Sequence, residues 1–198
     1  LDEYIEKIKK DDWIPTKRLI IAYGIAYVMK YLHDCHVVHR DLRPENVCLN
    51  DEYYPYIFNF FSAKQIDKKG KSKLLHETSL RFMAPEFIEN PALCQNSFKL
   101  DVYSYGMLLY NMVTGIKPFE SYDKKYELMN AIVSGERPEF PYYIFTEWKE
   151  LISKCWDQEP DNRPTFQEIL NDFDSPKFMN NHFSEKLFKK YKNKIKIK

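Results

Sequence analysis

The sequence predicts a mainly α-helical domain that carries one short β-hairpin. Three features predict it. The segments Thr16 to Cys35 and Asp101 to Thr114 are apolar over most of a helical circumference, as buried helices are. Between them, Val47 to Leu49 and Tyr56 to Phe58 are short strand-like runs around the turn-forming stretch NDEYY. Toward the C-terminus, Trp148, Leu151, Ile152 and Cys155 recur at i, i+3, i+4 and i+7, and Thr165 with Glu168 makes a capping box that opens a last helix.

Each element has its own local reason. The first long helix is entered after Pro15, whose fixed φ suits a helix start, and puts Leu19, Ala22, Tyr23 and Ala26 on one face. HVVHRDLRPEN follows; it is polar, contains Pro44 and is flanked by apolar residues, which predicts a structured loop. Residues 62 to 80 hold Lys64, Lys68, Lys69, Lys71 and Lys73 beside Gly70 and few apolar anchors, so a surface loop is expected. The second buried helix, DVYSYGMLLYNMVT, ends at Gly115, which can adopt the left-handed conformation that closes a helix.

Composition narrows the function classes. The chain has 198 residues, is 44% hydrophobic, and balances 30 Lys and Arg against 29 Asp and Glu, so no global field argues for nucleic acid. The longest apolar stretch, Leu19 to Met29, is too short to span a bilayer, and LDEYIEKIKK is not a secretory signal. Without an initiator Met, the chain is expected to be a segment of a longer protein. Cys35, Cys48, Cys94 and Cys155 form no CxxC pair, which fits reduced thiols and a cytoplasmic location. None of the five glycines forms a phosphate-cradling loop. The spacing of His33, His36 and His39 with Cys35 resembles a metal site, but His39 lies beyond the helix in the following loop with no second cysteine or acid fixed nearby, and histidines satisfied by local hydrogen bonds are expected.

Asp41 and Asn46 stand five residues apart in the structured loop. A carboxylate and an amide so placed can converge, one orienting a hydroxyl and the other offering an oxygen to a hard cation. HRDLRPEN, at residues 39 to 46, resembles the catalytic loop of eukaryotic protein kinases, and three further marks of that family follow in order: RFMAPEF, DVYSYG and CWDQEPDNRPTF. The last is similar to the form found in tyrosine kinases and the tyrosine-kinase-like group. The resemblance implies a protein-kinase-like fold, α+β overall, with residues 1 to 173 as its helical C-terminal lobe. The motifs of the N-terminal lobe are not in this sequence.

The resemblance also implies roles. Asp41 is the catalytic base and Asn46 a metal ligand; Arg43 neutralises charge beside the transferring phosphate. Glu45 lies near the ribose and Cys48 on the floor of the adenine pocket. His39 belongs to the same loop motif, Arg40 meets a phosphate on the following loop, Glu86 pairs with Arg163, and Asp101 holds the backbone of the catalytic loop. The implied cofactors are ATP and Mg²⁺ or Mn²⁺. The partner is a protein substrate or another protein; no nucleic acid is expected, and the oligomeric state is open.

The pattern breaks thirteen residues after Asn46, where the family's metal-binding Asp-Phe-Gly reads Asn59-Phe60-Phe61. Asn59 still has a carbonyl oxygen for a metal but brings no charge, and Phe61 replaces a glycine whose backbone freedom permits switching. Phe60 is expected to fill space beneath the site. Ser72, Thr78 and Ser79 are hydroxyls on the intervening loop; Ser79 reads as structural and Ser72, between two lysines, as a candidate switch. The function expected is therefore transfer of the ATP γ-phosphoryl group to protein serine or threonine, tyrosine being less favoured. The alternative is a pseudokinase scaffold. Residues 174 to 198 are expected to be a lysine-rich tail or linker, since the last 13 hold seven lysines and no acid. A basic-tailed adaptor for membranes or nucleic acid is the most distant reading.

Overall fold

The computed structural model describes residues 1–8, 15–66, 77–94, 96–178 and 183–195. In chain order the helices and strands are α1 (Asp2–Ile8), α2 (Pro15–Asp34), β1 (Val37–Val38), β2 (Val47–Leu49), β3 (Pro55–Ile57), β4 (Lys64–Gln65), α3 (Pro85–Glu89), α4 (Pro91–Cys94), α5 (Lys99–Thr114), α6 (Lys125–Val133), α7 (Thr146–Cys155), α8 (Phe166–Phe173) and α9 (Glu185–Ile195). β2 and β3 form the expected antiparallel hairpin, with Val47 opposite Ile57 and Leu49 opposite Pro55. β1 and β4 form a second antiparallel pair, a short ladder in what the sequence marks only as a surface loop.

α5 is the axis of the fold. Every residue from Leu100 to Thr114 is buried, because a helix apolar on all sides finds its free-energy minimum inside other helices. Gly115 closes it in the left-handed conformation, φ 70°, with its N–H donating to the Asn111 carbonyl. α7 crosses α5 closely at Gly106, where a Cβ would lie 2.9 Å from Cys155 Cβ. α2 packs against α8, whose capping box at Thr165 and Glu168 forms as the sequence predicts.

The C-terminal segment departs from the expected solvated tail. Phe178, Phe183, Phe188, Tyr191 and Ile195 are buried, and α9 lies on α2. Phe188 meets Tyr23 edge-on at 5.1 Å between ring centroids, while Tyr191 stacks on Tyr54 at 5.0 Å and donates its hydroxyl to the Tyr53 carbonyl. Burial of the three α9 side chains Phe188, Tyr191 and Ile195 is worth on the order of 2 kcal/mol each, more than the mutual repulsion of exposed lysines. Among the described residues, no helix is long and apolar enough to cross a membrane.

Candidate active site

The HRDLRPEN loop is held by one buried carboxylate. Asp101, fully buried at the start of α5, accepts the His39 N–H at 2.8 Å and the Arg40 N–H at 2.7 Å, and His33 Nε2 lies 2.9 Å away. Burial opposes ionisation of this carboxyl, but the His33 hydrogen bond, the two nearby imidazoles and the His39 amide outweigh it and hold its pKa below the usual carboxylate range. His33 is thus satisfied by a residue 68 positions away rather than by the local bonding expected for it. His39 contacts the Phe58 carbonyl through Nε2 at 3.1 Å, tying the loop to the end of the hairpin. No group of three or more metal-ligating residues occurs among the described residues.

Arg40 takes a left-handed backbone, φ 64°, which turns its side chain inward to donate through Nε to the Ser62 carbonyl at 2.6 Å. Burial lowers its pKa while Asp101 opposes that shift. The expected partner on the loop, Ser72, lies outside the described residues, as do the side chains of Thr78 and Ser79.

Beyond this anchor, three side chains converge. Asn46 donates from Nδ2 to Asp41 Oδ2 at 2.8 Å and to the Asp41 carbonyl at 2.7 Å. Asn59, also left-handed with φ 64° and ψ 57°, places Nδ2 3.3 Å from Asp41 Oδ2 and 3.2 Å from Asn46 Oδ1. Asparagine is among the few residues that adopt this conformation without strain. The other carboxylate oxygen, Asp41 Oδ1, accepts no hydrogen bond among the described residues, and Arg43 Nε lies 3.4 Å from it. Arg43 Nη1 is also 3.9 Å from Glu45.

The remaining site residues face outward. Glu45 and Cys48 are exposed beside this cluster. Phe60 is a correction to the expected core filler: it is 46% exposed and meets His39 edge-on at 5.0 Å. Phe61 sits in a 3-10 turn, Phe60–Ser62, without positive φ, so this conformation makes no demand for glycine.

Glu86 and Arg163 form a bidentate pair at 2.7 and 2.9 Å, and Arg163 also donates to the carbonyls of Asp157 and Lys99. Tyr103 lies between Arg137 and Arg163, each 5.1 Å from its ring centroid, and burial pushes its hydroxyl pKa upward. Sequence reasoning missed Arg81, whose guanidinium donates to the carbonyls of Pro118 at 3.0 Å and Tyr122 at 2.7 Å, and to that of Phe119. Its position at the head of RFMAPEF was the available signal, but its partners are 37 to 41 residues away.

The family described as protein tyrosine and serine/threonine kinase matches residues 1–173. This chain belongs to the protein kinase family. Among its relatives, the RGS domain-containing serine/threonine-protein kinase A of Dictyostelium discoideum is 33% identical over 154 residues, covering 78% of this chain and 13% of that protein. The dual specificity protein kinase shkB of the same organism is 33% identical over 162 residues, covering 80% of this chain and 24% of that protein. The dual specificity protein kinase splA is 34% identical over 171 residues, 79% of this chain and 7% of that protein. The chain thus spans a quarter or less of the length of these relatives, and their names fit the tyrosine-kinase-like group. The family generally uses ATP and Mg²⁺.

Proposed function

We propose that this chain forms the substrate-side lobe of a serine/threonine protein kinase, with Asp41 as the general base for the acceptor hydroxyl. The observation that carries this reading is the asymmetry of the Asp41 carboxylate. Oδ2 is fixed by two amides, whereas Oδ1 is buried, accepts no hydrogen bond among the described residues, and is covered by Arg43, whose Nε lies 3.4 Å away. Oδ1 is therefore the oxygen that can take a proton from a serine or threonine hydroxyl once Arg43 swings aside. In that step the hydroxyl oxygen bonds to the γ-phosphorus of ATP, the bond from that phosphorus to the β-γ bridging oxygen breaks, ADP leaves, and the hydroxyl proton goes to Asp41. Arg43 keeps a positive charge beside the transferring group, and Asp101 positions the loop from behind.

Exposed Glu45 and Cys48 fit contact with the ribose and adenine of a nucleotide laid along this face. The donor set fits a dication poorly. Asn59 presents its amide nitrogen to the site rather than its oxygen, and that nitrogen sits on Asn46 Oδ1, so this side chain offers a dication no oxygen. This same orientation favours a second reading, a pseudokinase that binds a protein partner through the same lobe without transfer.

Phosphoryl transfer from labelled ATP to a protein substrate, with and without Mg²⁺ or Mn²⁺, separates the two readings when Asp41→Asn and Asn59→Asp are assayed beside wild type. Transfer by wild type that vanishes in Asp41→Asn supports the kinase. Silence in wild type with transfer in Asn59→Asp supports the scaffold, and transfer unchanged in Asp41→Asn contradicts the role given to Asp41.

A further inference from the structure

Around Asp41 the hydrogen bonds form a chain of forced choices. A carboxylate only accepts, so Asn46 must turn its nitrogen toward Asp41 Oδ2, at 2.8 Å, and its oxygen away. That outward oxygen then receives Asn59 Nδ2 at 3.2 Å, and the same nitrogen stands 3.3 Å from Asp41 Oδ2. Turning the Asn59 amide over would set a carbonyl oxygen against a carboxylate oxygen with no proton between them. The charge of Asp41 thus orients both amides. The left-handed backbone at Asn59, just after β3, holds the donor in place.

We propose that the Asn59 side-chain amide takes the bridging place of a divalent cation. Its N–H donors link the catalytic loop to the segment after β3, so the site keeps its geometry without a dication and gains no stability from one. Dications favour carboxylate and phosphate oxygens, yet here the two bridging acceptors already share a neutral donor. This inference rests on the phosphotransfer reading only for which oxygens face the nucleotide side.

The test is thermal unfolding of the 198-residue chain without nucleotide, for wild type, Asn59→Asp and Asn59→Ala, with and without millimolar Mn²⁺. Asn59→Asp removes the donors and sets a second carboxylate beside Asp41 on a residue that tolerates the left-handed backbone, whereas Asn59→Ala removes the donors and adds the strain of a left-handed alanine. The expected result is a fall in Tm for both variants. Mn²⁺ should raise Asn59→Asp toward wild type and leave the other two unmoved. Wild type stabilised by Mn²⁺ as much as Asn59→Asp, or Asn59→Asp as stable as wild type without cation, overturns the proposal. Should Asn59→Asp fail to fold, the side-chain ¹⁵N–¹H resonances of Asn59 in wild type decide. Protection from exchange with no paramagnetic broadening by Mn²⁺ agrees with the proposal, and broadening at substoichiometric Mn²⁺ overturns it. None of these readings depends on phosphoryl transfer, so an inactive protein with this network intact contradicts only the kinase assignment.

Discussion

Replacing Asp101 by Asn should show how firmly one side chain holds the catalytic loop. The carboxylate receives three groups at 2.7 to 2.9 Å, Arg40 N–H on Oδ1 and His39 N–H with His33 on Oδ2. An amide keeps one acceptor. If its oxygen takes the Oδ2 position, its NH₂ faces the Arg40 N–H, and one charge-assisted bond is exchanged for a buried donor facing a donor. Such a loss costs about 1.5 to 3 kcal/mol for the bond, with a similar scale for the unsatisfied group, so a total near 3 kcal/mol is expected. For a chain of this size, each kcal/mol moves Tm by roughly 2 to 4 °C, which predicts a fall of about 6 to 12 °C. Urea unfolding checks it through the midpoint, with the slope unchanged.

The same substitution has a pH signature. The folded-state pKa of Asp101 is depressed, so its ionised form stabilises the protein above the ordinary carboxylate pKa, and that contribution is lost as pH falls through the folded value. The stability gap between wild type and Asp101→Asn should therefore be full near neutrality and shrink in acid. A change below about 0.5 kcal/mol at neutral pH, within the range of ordinary surface substitutions, refutes the reasoning.

Three further outcomes follow from the packing. Glu86→Ala strands the buried Arg163 guanidinium and should cost about 3 to 5 kcal/mol by chemical unfolding, much of it recovered when Arg163 is also replaced by Met. Tyr191→Phe should lose about 1 kcal/mol with the hydrogen bond to Tyr53, whereas Tyr191→Ala should lose several times that as its stacking on Tyr54 goes too. Gly24→Ala should destabilise because its Cβ would meet the Tyr191 hydroxyl and lie 2.8 Å from Pro55 Cδ, and a double-mutant cycle with Tyr191→Ala should show partial coupling, the Pro55 contact remaining; fully additive costs would mean that Tyr191 does not lie over Gly24.

Much of this was legible in the sequence because it is local. α2, α5 and the β2–β3 hairpin announce themselves by periodicity and turn residues, and the capping box at Thr165 needs only four positions. The linkage of Glu86 to Arg163 and of Asp101 to the loop followed from motifs whose partners the resemblance supplied. What stayed hidden depends on distant geometry. Nothing near His33 marks Asp101 as its partner, and nothing near Arg81 marks the carbonyls of residues 118 to 122. The docking of α9 was readable in principle, since Phe188, Tyr191 and Ile195 follow i, i+3, i+7, but the lysines between them obscured the stripe. The loss of a carboxylate at Asn59 was plain, whereas the direction of its amide emerges only once Asp41 and Asn46 are in place.

The most direct measurement is single-turnover transfer of labelled phosphate from ATP to protein, read by phosphoamino-acid analysis, for wild type and Asp41→Asn. Phosphoserine and phosphothreonine formed by wild type and lowered by on the order of a hundredfold or more in the variant is the predicted result for a general base. Equal labelling by both proteins would contradict it.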